Sequence, residues 1–351
     1  MIGFFKIVKQ ISYKNYILGF IVLVLSIACN QTPENSINNN VTNHHFNDTL
    51  IIDSLTALIT NNPQKSSLYA ERSLAYERIG KLTKSISDLS SANELDTLNI
   101  DYYVKLSDKY LQFGRSEKTR ELLLKANRID ASNVEVLYRL GNLYFYVKDY
   151  KQAVLYLKQA KSIDPFLAPL YFTYGMIYKE KGDTINAIEQ FQIAVEREPD
   201  YYDAYVMLGS LRAGQGDSIA LAYYRNALRI IPDSYEANYA IAMFYQLNNK
   251  PEQAIKAYKQ ILDVSRKKYP NIFFNLAYIE MIFYGEYNSA LAYFDSAIQI
   301  QENYPAAFCN IGYCYEQLND KTNAVYNYKK ALQLEPNFNI AVLGLERLKN
   351  N

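Results

Sequence analysis

The chain has 351 residues, 37 Lys and Arg against 36 Asp and Glu, 49% hydrophobic residues, 34 Tyr and no Trp, a balance that suits a folded chain with a core and excludes disordered or collagen-like ones. A formal net charge of +1 gives no basic footprint for a phosphate backbone, so nucleic acid is not an expected partner. Three Cys and two His, the latter adjacent at His44 and His45, are too few for a disulfide framework, a His-based metal centre or Ser-His-Asp chemistry, so neither metal nor cofactor is expected.

Residues 1–28 carry Lys6, Lys9 and Lys14, no acid, and the apolar run Ile17 to Ala28 ahead of Cys29. This order reads as a secretory signal, and the 12-residue run falls short of the roughly 20 residues that cross a bilayer core. Leu25-Ser26-Ile27-Ala28-Cys29 resembles a bacterial lipoprotein box, although Ser26 stands where Leu is usual. The resemblance implies a lipidated Cys29, an exported protein and anchorage to the outer membrane of a Gram-negative envelope. Ser26-Ile27-Ala28 also fits ordinary signal cleavage, which exports the chain as well. Loss of the signal leaves 34 basic and 36 acidic side chains. Residues 29–47 are expected to form a flexible tether, because Asn30 to Thr49 holds seven Asn and few apolar groups, with His44 and His45 as solvated linker residues.

Residues 48–65 read as one amphipathic helix. From Ser66 a period of 34 takes over, in units 66–99, 100–133, 134–167, 168–201, 202–234, 235–269, 270–304 and 305–338. The eighth residue of each is small: Ser73, Ser107, Gly141, Gly175, Gly209, Ala242, Ala277 and Gly312. The eleventh is Tyr in six units, Arg212 and Glu280 being the exceptions, and an alanine column runs through Ala92, Ala126, Ala160, Ala194, Ala227, Ala297 and Ala331. Two antiparallel helices approach closely only where small residues face each other, with large side chains filling the space beside them. Gly80, Gly114, Gly182 and Gly216 are placed to end first helices, and Pro165, Pro199, Pro232 and Pro336 to break the chain after second ones. These columns resemble the tetratricopeptide repeat family, most clearly at Tyr171, Gly175, Tyr178, Ala187, Phe191, Ala194 and Pro199. The resemblance implies an all-α solenoid, a right-handed superhelix of antiparallel helix pairs. Units 235–269 and 270–304 depart most, with Arg266 in place of Pro and Glu280 in place of the aromatic. Residues 339–351 are expected to cap the array, with Ile340, Leu343 and Leu348 on one side.

Signal, tether, repeats and caps use the chain, which leaves no domain-sized segment for catalysis. Gly214-Gln215-Gly216 is a turn without a preceding strand, and Cys309 and Cys314 read as packing residues, with Cys309 at a position that can also face the groove. The family resemblance implies that the concave side is lined by residues 2, 5, 9, 12 and 13 of each first helix, of which residues 5 and 9 form the candidate row. Here these include Tyr138 and Asn142, Phe172 and Met176, Tyr239 and Met243, Phe274 and Tyr278, and Tyr313, with Asn310 beside them. No Lys or Arg stands at these positions, so the basic clamp for a terminal carboxylate is missing. Such an aromatic, nearly uncharged groove suits a protein or extended peptide partner. The main expectation is therefore a non-enzymatic, lipid-anchored scaffold of an envelope machine serving secretion or outer-membrane assembly. The alternatives are a receptor for nutrient glycans or peptides, disfavoured because acidic and amide clusters are not expected around the rings, and a non-catalytic subunit of an envelope enzyme complex. Asp followed by Ser or Thr and an aliphatic residue occurs at Asp48, Asp53, Asp96, Asp183, Asp217 and Asp295. It resembles an O-glycosylation signal of Gram-negative envelope proteins, and it also fits helix capping.

Overall fold

The structure is a computed structural model that describes residues 41–265 and 268–350, so the signal, Cys29, the start of the tether and Arg266 lie outside the described residues. Among these the chain is all-α, with 18 α-helices and one π-helical turn. The described residues divide into two compact units, which meet between Ile129 and Asp130 in the chain.

In the first unit, α1 (Val41–Asn61) precedes two helix pairs, α2 (Ser66–Arg78) with α3 (Leu82–Leu95) and α4 (Ile100–Gln112) with α5 (Ser116–Ile129). Helix α1 already includes Val41, so the last seven residues of the expected tether, including His44 and His45, are helical. Neither Pro nor Gly occurs between Val41 and Asp48, so nothing there interrupts a helix held by the buried Ile52, Leu55 and Ile59. The close crossings are polar. The Ser73 hydroxyl donates to the Ser85 carbonyl at 2.8 Å, and Thr119 donates to the Ser107 carbonyl at 3.2 Å. Arg72 binds Asp88 through two 2.7 Å hydrogen bonds and reaches Thr56 on α1 at 3.0 Å. The nearly buried Lys109 ammonium sits 2.7 Å from Glu77.

The second unit has six pairs: α6 (Val134–Tyr146) and α7 (Tyr150–Ile163), α8 (Ala168–Glu180) and α9 (Thr184–Arg197), α10 (Tyr202–Gly214) and α11 (Ala220–Ile230), α12 (Tyr235–Leu247) and α13 (Pro251–Val264), α14 (Pro270–Ile279) and α15 (Tyr287–Ile300), α16 (Pro305–Gln317) and α17 (Lys321–Leu334), then α18 (Asn339–Asn350). Here four of the six crossings place a glycine under a large side chain, the other two using Ala242 and Ala277. A Cβ on Gly175 would meet the Phe191 ring at 2.6 Å, one on Gly209 the Tyr224 ring at 2.5 Å, and one on Gly312 the Tyr328 ring at 2.9 Å. Phe191, Tyr224 and Tyr328 are buried as a result, each contributing about 2 to 3 kcal/mol by removal of apolar area from water. Asp149, Asp183, Ser234 and Asp320 cap helix starts by accepting from a backbone N–H three residues on, at 3.0 to 3.2 Å.

Every repeat turns through one left-handed residue after its first helix: Gly80, Gly114, Lys148, Gly182, Gly216, Asn249, Gly285 and Asn319. Three of these are not glycine, so the glycine rule finds only part of the turn series. The extra residue of 270–304 is absorbed in the first helix, where α14 continues as a π turn over Glu280–Tyr284 before Gly285. The extra residue of 235–269 lengthens the linker after α13 instead. Helix α18 packs through Ala341 and Leu348, with Gly344 under Tyr328, while Ile340 and Leu343 are exposed. This corrects two of the three residues expected on the packing face, Leu348 being buried: Ala341 and Gly344 allow close approach to the Tyr328 ring, which larger aliphatics there would prevent.

Candidate partner-binding site

All ten groove residues lie on first helices of the second unit, and all are half-buried. Tyr138 and Asn142 sit on α6, Phe172 and Met176 on α8, Tyr239 and Met243 on α12, Phe274 and Tyr278 on α14, and Asn310 and Tyr313 on α16. Their surroundings divide them. Phe172 packs against Phe191 and the edge of Tyr201, with ring centroids 5.4 and 5.2 Å away. Phe274 repeats this with Phe294 and Tyr304 at 5.4 and 5.0 Å. Tyr201 and Tyr304 are each the last residue before the next first helix, so a linker tyrosine folds over the groove aromatic. Tyr269, in the same place before α14, stacks on Tyr235 at 4.0 Å.

Tyr239 stacks on Tyr235 at 5.5 Å and accepts from the Asn275 amide at 2.8 Å. Asn275 also donates to Tyr258 at 3.0 Å, whose hydroxyl donates to Gln246 at 2.8 Å and lies 2.9 Å from the Met243 sulfur. Asn271 donates to the Tyr235 hydroxyl at 2.6 Å, and the Tyr202 hydroxyl lies 2.5 Å from Ser234 Oγ and donates to Glu236 at 3.5 Å. Amide and acidic groups therefore do gather around the rings, against the expectation above. That expectation followed the groove positions alone, whereas the partners come from neighbouring positions on the next helix.

Burial pushes the Tyr239 hydroxyl above its ordinary pKa, opposed by the amides of Asn271 and Asn275. Burial likewise lifts Tyr278 and Tyr313 to about 12. For Tyr138 burial again dominates, with a hydrogen bond to Thr173 working against it. These tyrosines are neutral hydrogen-bonding groups at physiological pH. Among the described residues, Asn142, Met176 and Asn310 have no hydrogen bond or ring contact within the chain, which makes them the most available of the ten. Cys309 and Cys314 are free, buried thiols whose pKa burial raises to about 12. Cys309 packs beneath α18 with Tyr328, Phe338 and Ala341, and belongs to the core rather than the groove.

Sequence reasoning missed Tyr201, Tyr269 and Tyr304. A tyrosine closing units 168–201, 235–269 and 270–304 was the available signal. It also missed the acidic pair Asp203 and Glu236, which occupy the second residue of α10 and α12. Of the Asp-Ser/Thr sequences, Asp183 caps α9, Asp217 accepts from the Ile219 N–H, and Asp96 accepts from the Leu98 N–H. Leu55 and Ala297 in two others are buried. Among the described residues no group of three His, Cys, Asp or Glu is arranged to hold a metal ion, and no helix is long and apolar enough to cross a membrane.

Comparison with known families places this geometry. One tetratricopeptide repeat family model matches residues 134–167 and 305–338, and a second matches 168–201 and 235–268. These are tetratricopeptide repeats. The other helix pairs share their period and their turn, so the chain is an all-α TPR solenoid. No curated protein sequence matches it. Among solved structures, a TPR protein from Parabacteroides merdae is 16% identical with a TM-score of 0.50, the match covering 72% of this chain and 99% of that one. PilW, a type IV pilus biogenesis factor, is 20% identical with a TM-score of 0.51, over 59% of this chain and 96% of that one. Human IFIT1, solved as a dimer with m7Gppp-AAAA, is 16% identical with a TM-score of 0.52, over 81% of this chain and 66% of that one. These likenesses are of fold.

Proposed function

We propose that the chain is a non-enzymatic interaction scaffold that holds an extended peptide or protein segment along the first helices of residues 134–338, exported and tethered to the outer membrane of a Gram-negative envelope through lipidated Cys29. The observation that carries the binding reading is the row of half-buried aromatic, thioether and amide side chains on five of the six first helices of residues 134–338, in which the side chains of Asn142, Met176 and Asn310 have no hydrogen bond or ring contact among the described residues. Aromatic and thioether groups bury a partner's apolar side chains, and free amides serve its backbone. IFIT1 was solved with m7Gppp-AAAA, so the fold does not by itself choose between peptide and nucleic acid. The groove positions do favour peptide, because they carry no Lys or Arg to neutralise phosphates. The Lys-flanked apolar run ending at Cys29 supports the envelope placement.

Crosslinking in membranes of the native host, followed by affinity recovery and mass spectrometry, tests both halves. The wild-type chain is expected in the membrane fraction with a defined protein neighbour. Asn142→Arg with Met176→Glu should lose that neighbour with helical circular dichroism unchanged, and Cys29→Ser should release the chain from the membrane. Full recovery of the neighbour by the double variant would sink the groove.

A further inference from the structure

Helix α7 carries Lys151, Lys158 and Lys161 and no acid. Its inner side is fixed by the fully buried Ala153, Leu157 and Ala160, with Leu157 set against Gly141 of α6. Lys151, Leu155, Lys158 and Ser162 follow one another at steps of three and four residues, so they share the opposite side, and all four are exposed. Exposed apolar side chains continue at both ends: Val147 in the turn before the helix, Ile163 at its last residue, and Phe166 in the turn after it, 65% exposed with the Arg197 guanidinium 4.7 Å from its ring centre. The acids that bound the segment are occupied, Asp149 accepting from the Gln152 N–H at 3.1 Å and Asp164 from the Phe166 N–H at 2.8 Å. Among the described residues no ion pair engages Lys148, Lys151 or Lys158. On α5, by contrast, Glu121 is held between Lys118 at 2.9 Å and Lys125 at 2.8 Å. Of the second helices of the repeats, α7 and α17 alone have three lysines and no acid, and only α7 has exposed apolar groups at both ends.

This composition chooses its occupant. Protein interfaces are depleted in lysine, because a strongly hydrated ammonium is costly to strip of water. A bilayer surface with anionic headgroups asks for no such loss: the ammonium stays level with the phosphates, while its stem and the aliphatic and aromatic side chains beside it sit deeper. A helix of 14 residues, about 21 Å long, laid flat on such a surface places Leu155 near its centre and Val147 and Phe166 towards its two ends. No described helix is long and apolar enough to cross a membrane. We propose that the outer side of α7, with the turns at Val147 and Phe166, rests on a bilayer surface that contains anionic phospholipid. The envelope reading above enters only by bringing a membrane within reach. A few lysines on one helix give a weak, salt-screened attraction, so the contact orients the chain and leaves anchorage to Cys29. Helix α6, with Tyr138 and Asn142, packs on the inner side of α7, so lipid on the outer side leaves those groove residues free.

The test uses the chain from residue 29 with Cys29→Ser, which keeps every described helix and carries no lipid. It is floated with vesicles of phosphatidylcholine, alone or with about one third phosphatidylglycerol. Recovery with the anionic vesicles should exceed that with the neutral ones by about tenfold and vanish at high salt. Lys151→Glu with Lys158→Glu, both exposed, should abolish it with helical circular dichroism unchanged. Since the sequence has no Trp, Leu155→Trp supplies a single fluorophore on the outer side of α7, and its emission should move to the blue on the anionic vesicles. Equal flotation with both vesicle types, flotation that survives the double substitution, or an unshifted emission on bound vesicles overturns the inference. So does absence of flotation while the same lysines retain polyglutamate, which would give the face to an acidic protein. None of these outcomes touches the anchor, which is judged by the release of Cys29→Ser in the native host.

Discussion

The two units meet one geometric demand with different chemistry. In residues 41–129, close helix crossings run through hydroxyls, Ser73 to Ser85 and Thr119 to Ser107, and ion pairs such as Arg72 with Asp88 lock neighbouring helices. In residues 130–351 three of the equivalent crossings put glycine beneath Phe191, Tyr224 or Tyr328, and the space between repeats is filled by stacked tyrosines and asparagine amides. A small residue is required at the crossing. What lies opposite is free to be polar or aromatic, and only the aromatic version builds a ring-lined face along the first helices.

The largest expected effect breaks the polar unit. Arg72→Met leaves the buried Asp88 carboxylate uncompensated and should cost about 3 kcal/mol in urea unfolding, more than any single exposed ion pair in either unit. Next comes the crossing itself. Gly209→Ala drives a methyl into the Tyr224 ring and should cost about 2 kcal/mol, while Ser73→Ala, which keeps the small size and loses only hydrogen bonds, should cost about 1 kcal/mol. A reversed order would show that the hydroxyls, not the close approach, hold the first unit. The smallest effect concerns the turns. Both turns of the first unit use glycine, while the second places Lys148 at φ 63°. Lys148→Gly relieves that conformation and should raise stability by about 0.5 kcal/mol, seen as a small upward shift in unfolding temperature.

The period of 34 made the helix pairs legible, because small residues at the eighth position and alanines in the second helix are set by backbone approach, which leaves a residue-level trace. The left-handed turns at Lys148, Asn249 and Asn319 left a weaker one, since those side chains only tolerate the conformation that glycine prefers. The π turn at Glu280–Tyr284 left none beyond one residue of extra length. At the site, the row of positions was readable from register. The contacts were not, because Tyr201 over Phe172 and Asn275 against Tyr239 join residues 29 or 36 apart whose meeting depends on the angle between successive pairs. The same dependence hid the packing face of α18, where hydropathy favoured Ile340 and Leu343 and the approach of Gly344 to Tyr328 decided otherwise.

The hydrogen bonds that join Tyr202 to Ser234, Tyr235 to Asn271 and Tyr239 to Asn275 run lengthwise, from one first helix to the next. They act as rungs against stretching, so α10, α12 and α14 form a stiff stretch of the array rather than a spring. A segment laid along them would find its contact points already spaced, and the ordering of that face is met on folding rather than at the moment of contact.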